Sequence, residues 1–167
     1  MLLVKNLIFT VVVPGTVAVY VPIGVIARYG SLAVAWSVEQ YFALLPLLAG
    51  AAVYARCVWD FATAGQGTPA PIDAPRHLVV RGLYRYIRNP MYVGVLLGIL
   101  GWAVFFRSLG LLCYACGVGL TFHLFVVLYE EPRLRGQFGE SYELYCRAVG
   151  RWTPGRAINR LPSTHVR

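Results

Sequence analysis

The stretch Arg88–Phe106, RNPMYVGVLLGILGWAVFF, sets an arginine, an asparagine and a proline directly against 16 residues without a charge. As a helix rising about 1.5 Å per residue, that run falls slightly short of a hydrocarbon core roughly 30 Å thick. Trp102, Phe105 and Phe106 extend it, because aromatic side chains sit well at the interface. Pro90 biases Asn89 away from helical backbone, so the span begins at a break. A broken backbone at membrane depth is tolerated where it lines a polar cavity.

Composition agrees with a membrane chain. Of 167 residues, 58% are hydrophobic and 13% charged, with a mean hydropathy of +0.61; an ordinary soluble domain carries about a quarter charged residues. Runs of 22 residues without a charge separate Lys5 from Arg28 and Arg107 from Glu130. Ser31–Ala55 holds one charge, Glu39. With Met91–Phe106 these make four spans, an all-α polytopic membrane helical bundle. The first run is too long for the apolar core of a signal peptide and no A-x-A site follows, so it is expected to stay. Cys57, Cys113 and Cys116 lie in or beside spans, unlike the framework of a small secreted domain, and structural disulfides are not expected.

The net charge of +8 is unevenly placed. If span 1 starts inside, Lys5, Arg56, Arg76, Arg81, Arg85, Arg88 and the seven arginines from Arg133 to Arg167 lie inside, leaving Arg28 and Arg107 outside. The positive-inside rule then predicts cytoplasmic termini and a multi-pass protein, in the cell membrane if the source is bacterial. Cations flanking apolar spans suit anionic lipid head groups, not nucleic acid.

Pro14, Gly15 and Pro22 predict a kink in span 1, and Pro46 lies in span 2. The stretch Gly65–Pro75, GQGTPAPIDAP, reads as a linker. It divides an N-terminal helix pair, 1–64, from a half at 65–167 that holds most of the polar side chains and therefore any active site. After span 4, Pro132 suits the first turn of a helix, and Leu134, Phe138, Tyr142, Tyr145 and Val149 share one face. That predicts a C-terminal cytoplasmic amphipathic helix, lying on the interface or folding back as the lid of a site.

Gly94-x-x-x-Gly98 reads as a helix-packing face. Cys113-x-x-Cys116, in mid-span, reads as two inert thiols. His123 is an intramembrane histidine, a functional candidate that is equally able to bond a neighbouring helix's backbone. Glu130 and Glu131 end span 4, where the helix terminus is itself partly negative, and so need compensation from Arg81, Arg85 or Arg88 or from a cationic ligand.

Two blocks, HLVVRGLYRYIRNPMYVG (His77–Gly94) and EEPRLRGQFGESYELYCRAVGRWTP (Glu130–Pro154), resemble the membrane methyltransferase superfamily that includes isoprenylcysteine carboxyl methyltransferases and phospholipid N-methyltransferases. There the first block has the form G-x-Y-x-x-x-R-H-P-x-Y and the second E-E followed by F-G-x-x-Y. The resemblance implies an integral membrane methyltransferase that binds S-adenosylmethionine and acts on a hydrophobic or lipid-like acceptor. Position by position it implies cofactor contacts at His77, Leu78, Val79, Val80, Tyr84, Asn89, Pro90, Met91, Tyr92 and Glu130.

Asn89 stands where the family has histidine, and cannot titrate near neutral pH. Val126 stands where the prenylcysteine enzymes use an arginine for the substrate carboxylate, so the resemblance does not extend to that substrate. Methyl transfer from a sulfonium needs neither a catalytic triad nor a metal; it needs donor and acceptor held in line, with water excluded. Tyr84 or Tyr92 would face the sulfonium or adenine, and Glu130 would accept from ribose or amino groups. A nicotinamide-dependent membrane reductase of the sterol type is the alternative enzyme, and a non-enzymatic lipid-binding subunit leaves both blocks unexplained.

Overall fold

A computed structural model describes residues 12–29, 36–64, 78 and 80–155. The expected linker at Gly65–Pro75 and the expected contacts His77 and Val79 lie outside the described residues. Helix α1, Val12–Tyr29, contains a π-turn at Thr16–Tyr20, directly after Pro14 and Gly15. Helix α2 is Val38–Ala64, α3 is Pro90–Phe105 and α4 is Leu109–Phe125. A π-turn, Val126–Glu130, carries α4 without interruption into α5, Glu131–Phe138. Helix α6 is Glu140–Ala148. The fold is the expected all-α membrane bundle. Among the described residues three stretches, Val12–Tyr29, Val38–Phe61 and Leu109–Phe138, are long and apolar enough to cross a membrane, and Pro90–Phe105 is a shorter apolar helix.

Local chemistry moves the second span from its expected limits. Gln40 caps the start of the helix: its Oε1 accepts from the Ser37 backbone N–H at 2.9 Å and from the Ser37 hydroxyl, and the helix begins at Val38. It continues past Ala55 because Arg56 and Asp60, one turn apart, pair at 3.2 Å. The loop end of the bundle is tied by Arg107 to Glu39 and by Gln40 Nε2 to the Phe105 carbonyl.

Small residues bring α2 and α3 close together. A Cβ on Gly50 would lie 2.6 Å from the Gly94 carbonyl oxygen, and one on Gly101 2.9 Å from the Leu47 nitrogen. Of the expected Gly94-x-x-x-Gly98 face, Gly94 packs on α2, where a Cβ would lie 3.0 Å from the Gly50 carbonyl oxygen, whereas a Cβ on Gly98 would meet nothing within 4 Å. Helix α1 is held to the pair α3–α4 by Trp102 Nε1, which donates to the Ala18 carbonyl at 2.9 Å, and by the Tyr114 hydroxyl, which donates to the Val17 carbonyl at 3.0 Å.

At the opposite end, Gly82 adopts φ +56° and starts a 3-10 turn, Gly82–Arg85. A Cβ there would meet Asp60 Oδ2 at 1.9 Å, so only glycine lets the turn sit on the end of α2. Gly139, at φ +51°, breaks the expected C-terminal helix into α5 and α6. The break turns the apolar face inward. Tyr142, Tyr145 and Val149 are buried together, with Leu134, Phe138, Leu78 and Val80 packed against them. The segment folds back against α5 and the chain before α3, where the Tyr145 hydroxyl donates to the Tyr84 carbonyl.

Candidate functional site

The two sequence blocks meet at the start of α3. Ile87 and Gly150 form a parallel bridge, in which the Arg88 backbone N–H donates to the Gly150 carbonyl at 2.9 Å. Five residues further on, Gly155 N–H donates to the Tyr86 carbonyl, also at 2.9 Å. Asn89 does not cap α3 with its side chain. Its Nδ2 donates to the Arg151 carbonyl at 3.2 Å, fastening the segment Gly150–Gly155 across the break before Pro90. The segment is tightly folded: a Cβ on Gly150 would stand 2.2 Å from the Thr153 carbonyl oxygen.

The paired glutamates have different surroundings. Glu131 is buried, and Arg151 grips it with Nε to Oε1 at 2.6 Å and Nη2 to Oε2 at 3.0 Å. Arg88 adds a contact at 3.1 Å and Arg135 one at 3.4 Å. Of the loop arginines expected to compensate the acids, Arg88 does so, and the other two cations come from the second block itself. Glu131 therefore acts as a latch, since a buried carboxylate is stable only with such partners. Glu130 is half-buried and meets a phenol, the Tyr92 hydroxyl donating to its Oε2 at 3.0 Å. The carboxylates do not end the helix, as expected from sequence; they straddle the join of the π-turn and α5. A π-turn inserts one residue into the helical repeat and re-aims the side chains beyond it.

Aromatic rings continue the site away from Glu130. The Tyr92 ring lies 4.6 Å from that of Phe122 and 6.4 Å from that of Trp152. Trp152 Nε1 donates to His123 Nδ1 at 3.1 Å, so a neutral His123 carries its proton on Nε2. His123 is thus bonded to the C-terminal segment. All four side chains are partly exposed, unlike the closed core nearby.

The remaining expected site residues divide between two clusters. Tyr84 is buried with Cys57, and Met91 packs against the pair. The Tyr84 carbonyl accepts from the Tyr145 hydroxyl at 2.6 Å, its ring meets Phe61 edge-on at 5.4 Å, and burial pushes its phenol well above the usual range. Pro90 is buried at the first position of α3. Leu78 and Val80 instead pack on the cluster of Tyr142, Tyr145 and Val149. Sequence reasoning passed over Phe122, Arg151 and Trp152. Arg151-Trp152, a cation and a large aromatic directly after an amphipathic helix, was the available signal for two of them.

A family model described as phospholipid methyltransferase matches residues 38–141. No curated protein and no solved structure matches the chain.

Proposed function

The chain belongs to the phospholipid methyltransferase family, and from that premise we propose that it transfers a methyl group from S-adenosylmethionine to a lipid-like acceptor in the membrane. The observation that carries this reading is the Tyr92–Glu130 hydrogen bond, which joins the two blocks at the polar end of the bundle. Three guanidinium groups converge on Glu131, while the neighbouring Glu130 is paired with a neutral phenol. Such a carboxylate retains acceptor capacity for ribose hydroxyls or an ammonium group, which is the chemistry the donor presents.

When bound, S-adenosylmethionine supplies a methyl group already activated by its sulfonium. The residues proposed to hold it are His77, Leu78, Val79, Val80, Tyr84, Asn89, Pro90, Met91, Tyr92 and Glu130. Their work is positional: donor and acceptor must be aligned and water kept out, and no side chain has to be a strong acid or base. The segment Gly150–Gly155, bonded across Asn89 and Tyr86, supports the exclusion of water. Lipid would enter sideways between α3 and α4. The donor would arrive from the cytoplasm, the side on which the cation distribution puts this end of the bundle.

The test is the thermal unfolding of purified protein with S-adenosylmethionine, with S-adenosylhomocysteine and with NADPH. The first two are expected to raise the midpoint. A rise with NADPH alone would reverse the assignment in favour of a reductase. Membranes given a labelled methyl donor should label lipid with the wild-type chain and not with Glu130→Gln; equal labelling removes Glu130 from the site.

A further inference from the structure

Glu130 marks one end of a row of rings, Tyr92, Phe122 and Trp152, of which only Tyr92 is among the donor contacts proposed above. Tyr92 donates its hydroxyl to Glu130 at 3.0 Å, which leaves its ring face free of that bond. Phe122 lies 4.6 Å from that ring, centre to centre, and has no polar atom. Trp152, at 6.4 Å, has its only side-chain N–H committed to His123 at 3.1 Å. What these three side chains still present is π surface, and each remains partly exposed although it sits beside a closed core. A partly exposed aromatic surface next to a carboxylate that has no guanidinium partner among the described residues suits a cation, because the ring face and the carboxylate are both negative.

We propose that Tyr92, Phe122 and Trp152 form an aromatic wall that reads the positive charge of the methyl donor and so distinguishes donor from product. The inference rests on the methyltransferase reading of the Tyr92–Glu130 site. In the reaction the methyl–sulfur bond breaks with its electron pair left on sulfur, and the acceptor's lone pair forms the new bond. The acceptor's proton, where it has one, stays on the methylated product through the transfer and is lost after the product leaves the site. The donor is therefore a cation at sulfur, and the product is a neutral thioether of nearly the same shape. Hydrogen bonds to the ribose, adenine and amino-acid ends treat the two alike. A group that senses charge at sulfur separates them, and a wall of this kind releases the product more readily once the charge has gone. Trp152 is placed for this by the Arg151–Glu131 latch, so the C-terminal segment supplies a specificity residue as well as a cover.

Dissociation constants for S-adenosylmethionine and for S-adenosylhomocysteine, measured by calorimetry on the full chain in nanodiscs, test the proposal. Trp152→Leu and Phe122→Leu should each weaken the donor about fivefold, the usual size of a cation–π contact, and the product less than twofold. Trp152→Phe keeps a ring face and should retain most of the donor preference, which guards against a Trp152→Leu chain that does not fold. Equal weakening of both ligands, or an unchanged ratio in all three variants, overturns the wall as a charge reader. Failure of the wild-type chain to bind either ligand overturns the methyltransferase reading together with it.

Discussion

Arg151 and Glu131, 20 residues apart, meet in a two-pronged ion pair at 2.6 and 3.0 Å, and this pair locks the end of the described chain onto the membrane helix that carries the candidate site. Glu131 is its buried member, with a side chain only 3% exposed, whereas that of Arg151 is 31% exposed. The burden is therefore asymmetric. Glu131→Gln leaves Arg88 enclosed without its counter-charge and should cost about 3–5 kcal/mol. Arg151→Ala leaves Arg88 and Arg135 on the carboxylate, and solvent screens the lost contact, so about 1 kcal/mol is expected. Thermal unfolding of the two variants in one detergent checks the order; a larger loss in Arg151→Ala contradicts it.

Gly82→Ala should destabilise by about 2 kcal/mol or more, because it adds left-handed backbone strain to a steric clash. The added methyl would lie 1.9 Å from Asp60 Oδ2. The strain belongs to residue 82 alone, but the clash is shared with Asp60. In a double-mutant cycle, Asp60→Ala should therefore recover part of the loss and not all of it. Strict additivity of the two substitutions would show that the turn does not rest on Asp60.

Gly50 on α2 and Gly98 on α3 give opposite expectations. A methyl on Gly50 meets the backbone of Gly94 at 2.6 Å, while one on Gly98 has nothing within 4 Å. Gly50→Ala should force the helices apart and cost about 1–3 kcal/mol. Gly98→Ala should be neutral or stabilising by up to about 1 kcal/mol, since alanine is the better helix former. Unfolding midpoints of the two single variants settle the comparison.

Alkaline solution should loosen the C-terminal segment. Burial pushes the hydroxyls of Tyr84, Tyr142 and Tyr145 above their ordinary 10.0, and the Cys146 thiol above its ordinary 9.0. The folded chain therefore keeps protons that the unfolded chain has already lost. In that window the unfolded state binds fewer protons, so stability falls as pH rises from about 9 upward. Unfolding midpoints between about pH 7 and about pH 11 should decline above about 9, and Tyr142→Phe should make the decline shallower. A flat profile would contradict the burial of these groups.

Much of the bundle was legible because a membrane span needs only length and apolarity. Span limits were less so. The second helix begins where Gln40 caps the Ser37 backbone N–H, which a count of charges does not register, and runs on through a paired Arg56 and Asp60, which such a count treats as a boundary. The amphipathic face from Leu134 to Val149 was readable from spacing, but the periodicity is blind to the left-handed Gly139 that folds it in two. At the site, both residues of the Tyr92–Glu130 hydrogen bond were among those the blocks singled out. The different fates of the two glutamates were not, because they depend on Arg151 arriving from a bridge between Ile87 and Gly150. Trp152 was hidden for the same reason: its neighbours are adjacent only in space.

That bridge also makes the two blocks a single heritable cassette. Ile87 pairs with Gly150, Asn89 bonds Arg151, and Tyr86 bonds Gly155, mostly through backbone atoms whose register one inserted or deleted residue would shift. A chimera that takes the first block from one relative and the second from another must match that register before any side chain matters. Under the methyltransferase function proposed above, donor binding would travel with this cassette as a unit.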